Sequence, residues 1–209
     1  IKANGRQVIE SPLVVSDGRY HMDLDHLETQ LTGNEKILLF CSPHNPGGRV
    51  WDKLELTALA AFCEKHNLIV ISDEVHNDLV FASAKHSVMA NAVRDISHRL
   101  VTLVATTKTF NLAGAMIGSI VTADDHLRQK ISRVAMAYGT SFNRLGMMMT
   151  EAAWRNGDVW LDSLLVYLAE NRRIFEDGVN QIAGVKAMPL DATYLCWVDF
   201  KDTGMTSEE

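Results

Sequence analysis

Four short apolar runs, each closed by polar or turn-forming residues, limit what this chain can fold into. They occupy residues 36–41, 68–72, 100–104 and 117–122. Each is shorter than a buried helix needs and is rich in Ile, Val and Leu, the pattern of a strand buried on both faces. Between the first two, residues 52–67 set Leu54, Leu56, Leu59, Ala60 and Phe62 on a broad apolar helix face, with Asp52 placed to cap its start. Strands alternating with helices predict an α/β fold, its sheet largely parallel and sandwiched by helices. Around that core the pattern predicts a strand over 8–15 broken at Pro12, and a short helix over 23–31 with Leu24, Leu27 and Leu31 on one side. A helical turn is predicted over 90–95, and a helix over 124–137 opened by Asp124 and Asp125. Residues 141–156 hold Met147, Met148 and Met149 and read as a helix packed into the core by flexible side chains. After Asn156-Gly157-Asp158, residues 159–185 read as one long helix with Leu161, Leu164, Leu165, Leu168 and Ile174 on one side, and residues 194–200 alternate as a strand.

The residues just past three of the strand runs carry the chemistry. Lys108 follows the run 100–104 inside Ala105-Thr106-Thr107-Lys108-Thr109-Phe110-Asn111. An ammonium is costly to bury without a partner, whereas a desolvated amine is a nucleophile toward carbonyls, so imine formation is the chemistry that suits it. The aldehyde of pyridoxal phosphate is the obvious carbonyl. The alternative is a lysine opening a solvated turn. Asp73 ends the apolar run 68–72, where a carboxylate could keep a pyridine nitrogen protonated or, alternatively, cap a helix. Asn45 follows the run 36–41 in Ser42-Pro43-His44-Asn45-Pro46-Gly47-Gly48, where an amide could donate to a phenolate oxygen or simply shape a turn. All three stand at carboxyl ends of strands, the edge at which open α/β sheets bind ligands.

Together and in this order the three segments resemble the class I/II aminotransferase superfamily, the fold type I group of pyridoxal phosphate enzymes, over essentially the whole chain. The resemblance implies that Lys108 carries the cofactor and acts as general base, that Asp73 pairs with the pyridine nitrogen, and that Asn45 contacts the ring 3-oxygen. It implies a cofactor-binding large domain over 1–157, then a connecting helix and the start of a small α+β domain over 158–209. His76 stands where many aminotransferases carry Tyr. That position, with Pro43-His44-Asn45-Pro46-Gly47-Gly48-Arg49-Val50-Trp51 and Asp73-Glu74-Val75-His76-Asn77-Asp78-Leu79-Val80-Phe81, looks like the cystathionine β-lyase or C–S lyase branch and adds His76 to the cofactor-binding set. Two phosphate contacts of the superfamily are replaced, by Ala105 and by Met116, which leaves Thr107 and Thr106 as the nearest hydroxyl donors. The implied activity is cleavage of cystathionine or a cysteine conjugate to thiol, pyruvate and ammonia. Transamination, or a non-catalytic regulatory role, are the alternatives. The implied partners are a small amino-acid substrate and a second subunit of a homodimer.

A 47% apolar and 22% charged composition is that of an ordinary globular protein. A net charge of −6 gives no electrostatic case for nucleic acid. No apolar stretch has spanning length, which argues against a membrane protein. Cys41, Cys63 and Cys196 lie in apolar runs without paired spacing and read as buried free thiols of a cytoplasmic protein. The histidines, His21 and His26 among them, lack metal-ligand spacing, and no metal site is expected. The chain opens on Ile1-Lys2-Ala3-Asn4-Gly5-Arg6, and residues 204–209 read as the beginning of a helix. Both ends suggest an internal piece of a longer enzyme. Such a piece lacks the superfamily's upstream phosphate loop and downstream carboxylate-binding Arg. It is therefore expected to bind the cofactor poorly and to be inactive by itself.

Overall fold

The computed structural model of the 209-residue chain describes residues 1–206; the end of the expected helix start over 204–209 lies outside the described residues. The sheet has four strands in the order β3 (Ile37–Cys41), β4 (Ile69–Asp73), β5 (Leu100–Val104) and β6 (Ser119–Val121). The first three run parallel, with Cys41 opposite Asp73 and Asp73 opposite Leu103, so all three end at one edge. The fourth is antiparallel to β5, a feature that apolar periodicity does not encode. The protein is thus a mixed α/β molecule around a parallel-rich sheet.

Helix α2 (Lys53–Lys65) forms as expected. Asp52 accepts from the Glu55 amide and the Glu55 side chain accepts from the Asp52 amide, a capping box that satisfies two orphan donors. The helix buries Leu56, Leu59, Ala60, Phe62 and Cys63 against Phe40, Val70 and Leu100, with Trp51, Met89 and Ile96 closing the core. Leu54, assigned to the same face, is 80% exposed: it lies in the first turn, two residues before Leu56, and so about 200° around the helix from it. Alternate strand residues share a face. The face carrying Val70 and Ser72 is buried, whereas on the opposite face Ile37 and Leu39 are more than half exposed. The second apolar face of β3 is therefore uncovered among the described residues.

Other elements depart from expectation in instructive ways. The strand expected over 8–15 shrinks to β1 (Val14–Ser16), paired in a hairpin with β2 (Arg19–His21), because Pro12 cannot donate to a ladder. Helix α1 (Leu24–Gln30) is capped by Asp23, and the expected turn over 90–95 is α3 (Met89–Ala92). The short turn after β5 is α4 (Thr106–Thr109). Helix α5 (Asp125–Ala137) is capped by Asp124, and α6 (Arg144–Asn156) by Asn143. Met147, Met148 and Met149 on α6 are all about half exposed rather than core, because among the described residues α6 is so little covered that it buries only Gly146. The long helix α7 (Asp158–Val179) stops six residues before the expected 185. Leu161, Leu164, Leu165 and Leu168 form a half-buried stripe on it, while Ile174 is exposed. Only β8 (Val198–Asp199) of the expected strand 194–200 is a strand, paired with β7 (Lys186–Ala187). Of the three thiols, Cys63 is buried and Cys41 half-buried, but Cys196 is exposed, against expectation.

Candidate active site

Parallel pairing of three strands that end together puts their following residues on one rim. Asp73 is the last residue of β4 and is half-buried. Its carboxylate accepts from the Val75 amide at 3.2 Å. No helix follows at once, so this is a turn contact and not the helix cap that was the alternative reading. Residues after β4 turn through Glu74, Val75 and His76, which brings the His76 imidazole back to the loop after β3. There Asn45 Nδ2 lies 3.4 Å from His76 Nε2. The amide nitrogen can donate to Nε2 when that ring atom is unprotonated, a tautomer that leaves the proton on Nδ1, which is buried without a hydrogen-bond partner. One amide hydrogen of the exposed Asn45 remains for another acceptor.

His76 is 2% exposed and meets the Tyr194 ring edge-on at 5.5 Å. Burial holds its pKa below the ordinary value, the Lys108 ammonium adds to that lowering, and the Asp73 carboxylate opposes it. Thus His76 lies within the electrostatic reach of both Lys108 and Asp73. Neither Lys108 nor Asp73 forms an ion pair with any of the described residues. Both charges therefore remain available for opposite partners that the described residues do not supply. Cys41, across from Asp73, has its thiol pKa raised by burial and by Asp73, so it is a poor nucleophile.

Lys108 sits in the single turn α4 and is half-buried. Of its threonine neighbours, Thr107 is half-buried, while Thr106 is 1% exposed and shares a 3.0 Å hydrogen bond with Thr150. Met116 is 86% exposed in a left-handed turn and provides no cationic contact. Several further contributors are less visible in the sequence. Glu74, 1% exposed, accepts from Ser72 Oγ at 2.9 Å and the Met89 amide at 3.2 Å, and its other oxygen is 2.9 Å from His86 Nε2. The period of two along β4 was the available signal: Glu74 follows Val70 and Ser72 onto the core face, so it had to find partners. Tyr194 and Thr150 are brought in from far along the chain and left no local signal.

Comparison with known proteins places this architecture. The family model described as "Aminotransferase class I and II" matches residues 1–208. The chain is similar to cystathionine beta-lyase PatB of Bacillus subtilis (strain 168), 35% identical over 212 residues that cover 100% of this chain and 55% of that protein. It is similar to protein MalY of Escherichia coli (strain K12), 33% identical, covering 96% of this chain and 52% of that one. It superposes on cystalysin from Treponema denticola, which contains a pyridoxal 5'-phosphate cofactor, with a TM-score of 0.92 and 34% identity over 98% of this chain and 53% of that one. The chain spans about half the length of the curated relatives it matches.

Proposed function

Because this chain belongs to the aminotransferase class I and II family, we propose that its rim of Asn45, Asp73, His76 and Lys108 is the pyridoxal phosphate site of a carbon–sulfur β-lyase. The carrying observation is the set itself: an amine and a carboxylate unpaired at one rim, with a buried imidazole in reach of both. That donor set fits the cofactor, which needs a primary amine for its aldehyde, an acid for its pyridine nitrogen and a hydrogen-bond donor for its ring oxygen. The phosphate is served less well, by Thr107 and Thr106, the latter already bonded to Thr150.

When bound, pyridoxal phosphate supplies an electron sink that acidifies the α-proton of an amino acid. In our reading Lys108 Nζ would hold the cofactor and would be the base that takes the substrate's Cα proton. Asp73 keeps a proton on the pyridine nitrogen by its charge. His76 stays neutral and holds the Asn45 amide, whose remaining hydrogen would be available to the ring oxygen. Departure of sulfur from Cβ then yields thiol, and hydrolysis gives pyruvate and ammonia. A cystathionine-type substrate is favoured by the relatives' names, and transamination, which shares the first proton transfer, is the second reading suggested by the family's description. A homodimer and a cytoplasmic setting belong to the same proposal.

Excess pyridoxal phosphate followed by borohydride should label Lys108, as read by peptide mapping; Lys108→Ala should remove that label and cut turnover of the whole protein by at least about 10²–10⁴-fold. Offered L-cystathionine, the whole protein should release pyruvate, ammonia and homocysteine without added keto acid. A requirement for keto acid would put transamination in its place.

A further inference from the structure

We propose that the hydrogen bond from Thr109 Oγ1 to Asp78 Oδ2, 3.0 Å long, is a positioning contact that locks the turn bearing Lys108 to the segment following Asp73, so that amine and carboxylate are held as one unit. The proposal rests on Lys108 being the amine that takes the cofactor's aldehyde.

Helix α4 is four residues long, too short to be stable by its own hydrogen bonds. Its N-cap, Ala105, makes no side-chain capping hydrogen bond. What holds it must come from outside the turn. Thr106 and Thr109 are three residues apart, on one side of the turn, and both are fully buried. The Thr106 hydroxyl goes to Thr150 on α6, and the Thr109 hydroxyl goes to Asp78, 31 residues earlier in the chain. Phe110 then packs against Trp160 on α7, the tilted rings 5.5 Å apart. Asp78 is itself oriented, its other oxygen accepting from Asn77 Nδ2 at 2.9 Å. Of these anchors, the Thr109–Asp78 bond alone joins the Lys108 turn to the stretch that carries Asp73 and His76. A carboxylate acceptor makes it stronger than a neutral pair. A buried threonine used only as filler would be served as well by valine, which has the same branched shape and no donor.

Thr109→Val and Thr109→Ser separate the hydroxyl from the packing. Amide hydrogen exchange on the 209-residue chain reads the coupling directly. The valine variant should speed exchange over residues 106–112 and 74–80 together by about tenfold, leaving α2 unchanged, while the serine variant stays near wild type. Labelling with excess pyridoxal phosphate and borohydride, mapped lysine by lysine, reads the consequence. Lys108 labelling relative to the other lysines should fall by about tenfold in the valine variant and recover in the serine variant. The proposal is overturned if one segment loosens without the other, if valine and serine behave alike, or if Lys108 labelling is unchanged in Thr109→Val. A wild-type label on a different lysine withdraws the reading of Lys108 and leaves the bond as a fold contact only, which the exchange result reports separately.

Discussion

His76 is where the charges of the rim are felt together, and its own charge state follows from that. Burial and the Lys108 ammonium both disfavour a protonated ring, and they outweigh the pull of Asp73. In the unfolded chain the ring titrates at about 6.5; in the folded chain it stays neutral to lower pH. Between those two values the unfolded chain binds the extra proton, so stability rises with pH through the window and is lost as pH drops below about 6.5. His44, lowered by burial, contributes a slope of the same sign. His76→Gln should therefore flatten the fall in urea midpoint between about pH 7.5 and about pH 5.5. An imidazole resonance of His76 that titrates at or above the ordinary histidine value would contradict this.

At the scale of elements, the turn after β3 requires a glycine. Gly48 has φ +64°, and a Cβ there would fall 2.1 Å from Leu190 Cδ1 and 3.2 Å from the Ala192 carbonyl oxygen. Gly48→Ala should cost about 2–3 kcal/mol in urea denaturation, from left-handed backbone strain plus overpacking. Adding Leu190→Ala should recover only the overpacking share relative to Leu190→Ala alone. At this level the sequence is unevenly legible. The parallel strands and α2 were legible because apolar periodicity and a capping residue are local signals. Asn45, Asp73, His76 and Lys108 were legible as candidates because each follows such a strand or belongs to a motif. The direction of β6 was not legible, because a three-residue strand carries no mark of its orientation. The exposure of Met147, Met148 and Met149 is not legible either, because an apolar run marks a surface to be covered without saying whether the described residues cover it.

Across the whole molecule, residues 190–194 are stitched into the first half of the chain. The Asp191 carboxylate accepts from Arg19 and from the Val50 amide, and the backbone around it bonds to Gly48, Leu79 and Phe81. Val80 and Ala192 form a bridge. We retain as a proposal that 1–157 and 158–209 belong to different domains. The stitching predicts that they nevertheless melt together. Asp191→Ala should lower stability by about 2 kcal/mol, discounted because Arg19 is more than a third exposed, and should do so in one transition by both near- and far-ultraviolet circular dichroism. Two separated transitions would support an independent C-terminal unit.

The contact of Tyr194 with His76 also sets an order of events during synthesis. The strands that present Asp73 and Lys108 are complete once the ribosome has passed β5 and α4, and they pair with near neighbours in sequence. The residues that close over His76 emerge more than eighty positions later. Closing loops that long is slow compared with local pairing. On a nascent chain that pairs these strands as they emerge, lysine and carboxylate would stand open for several seconds, at ordinary translation rates of about 5–20 residues per second, before the imidazole beside them is enclosed.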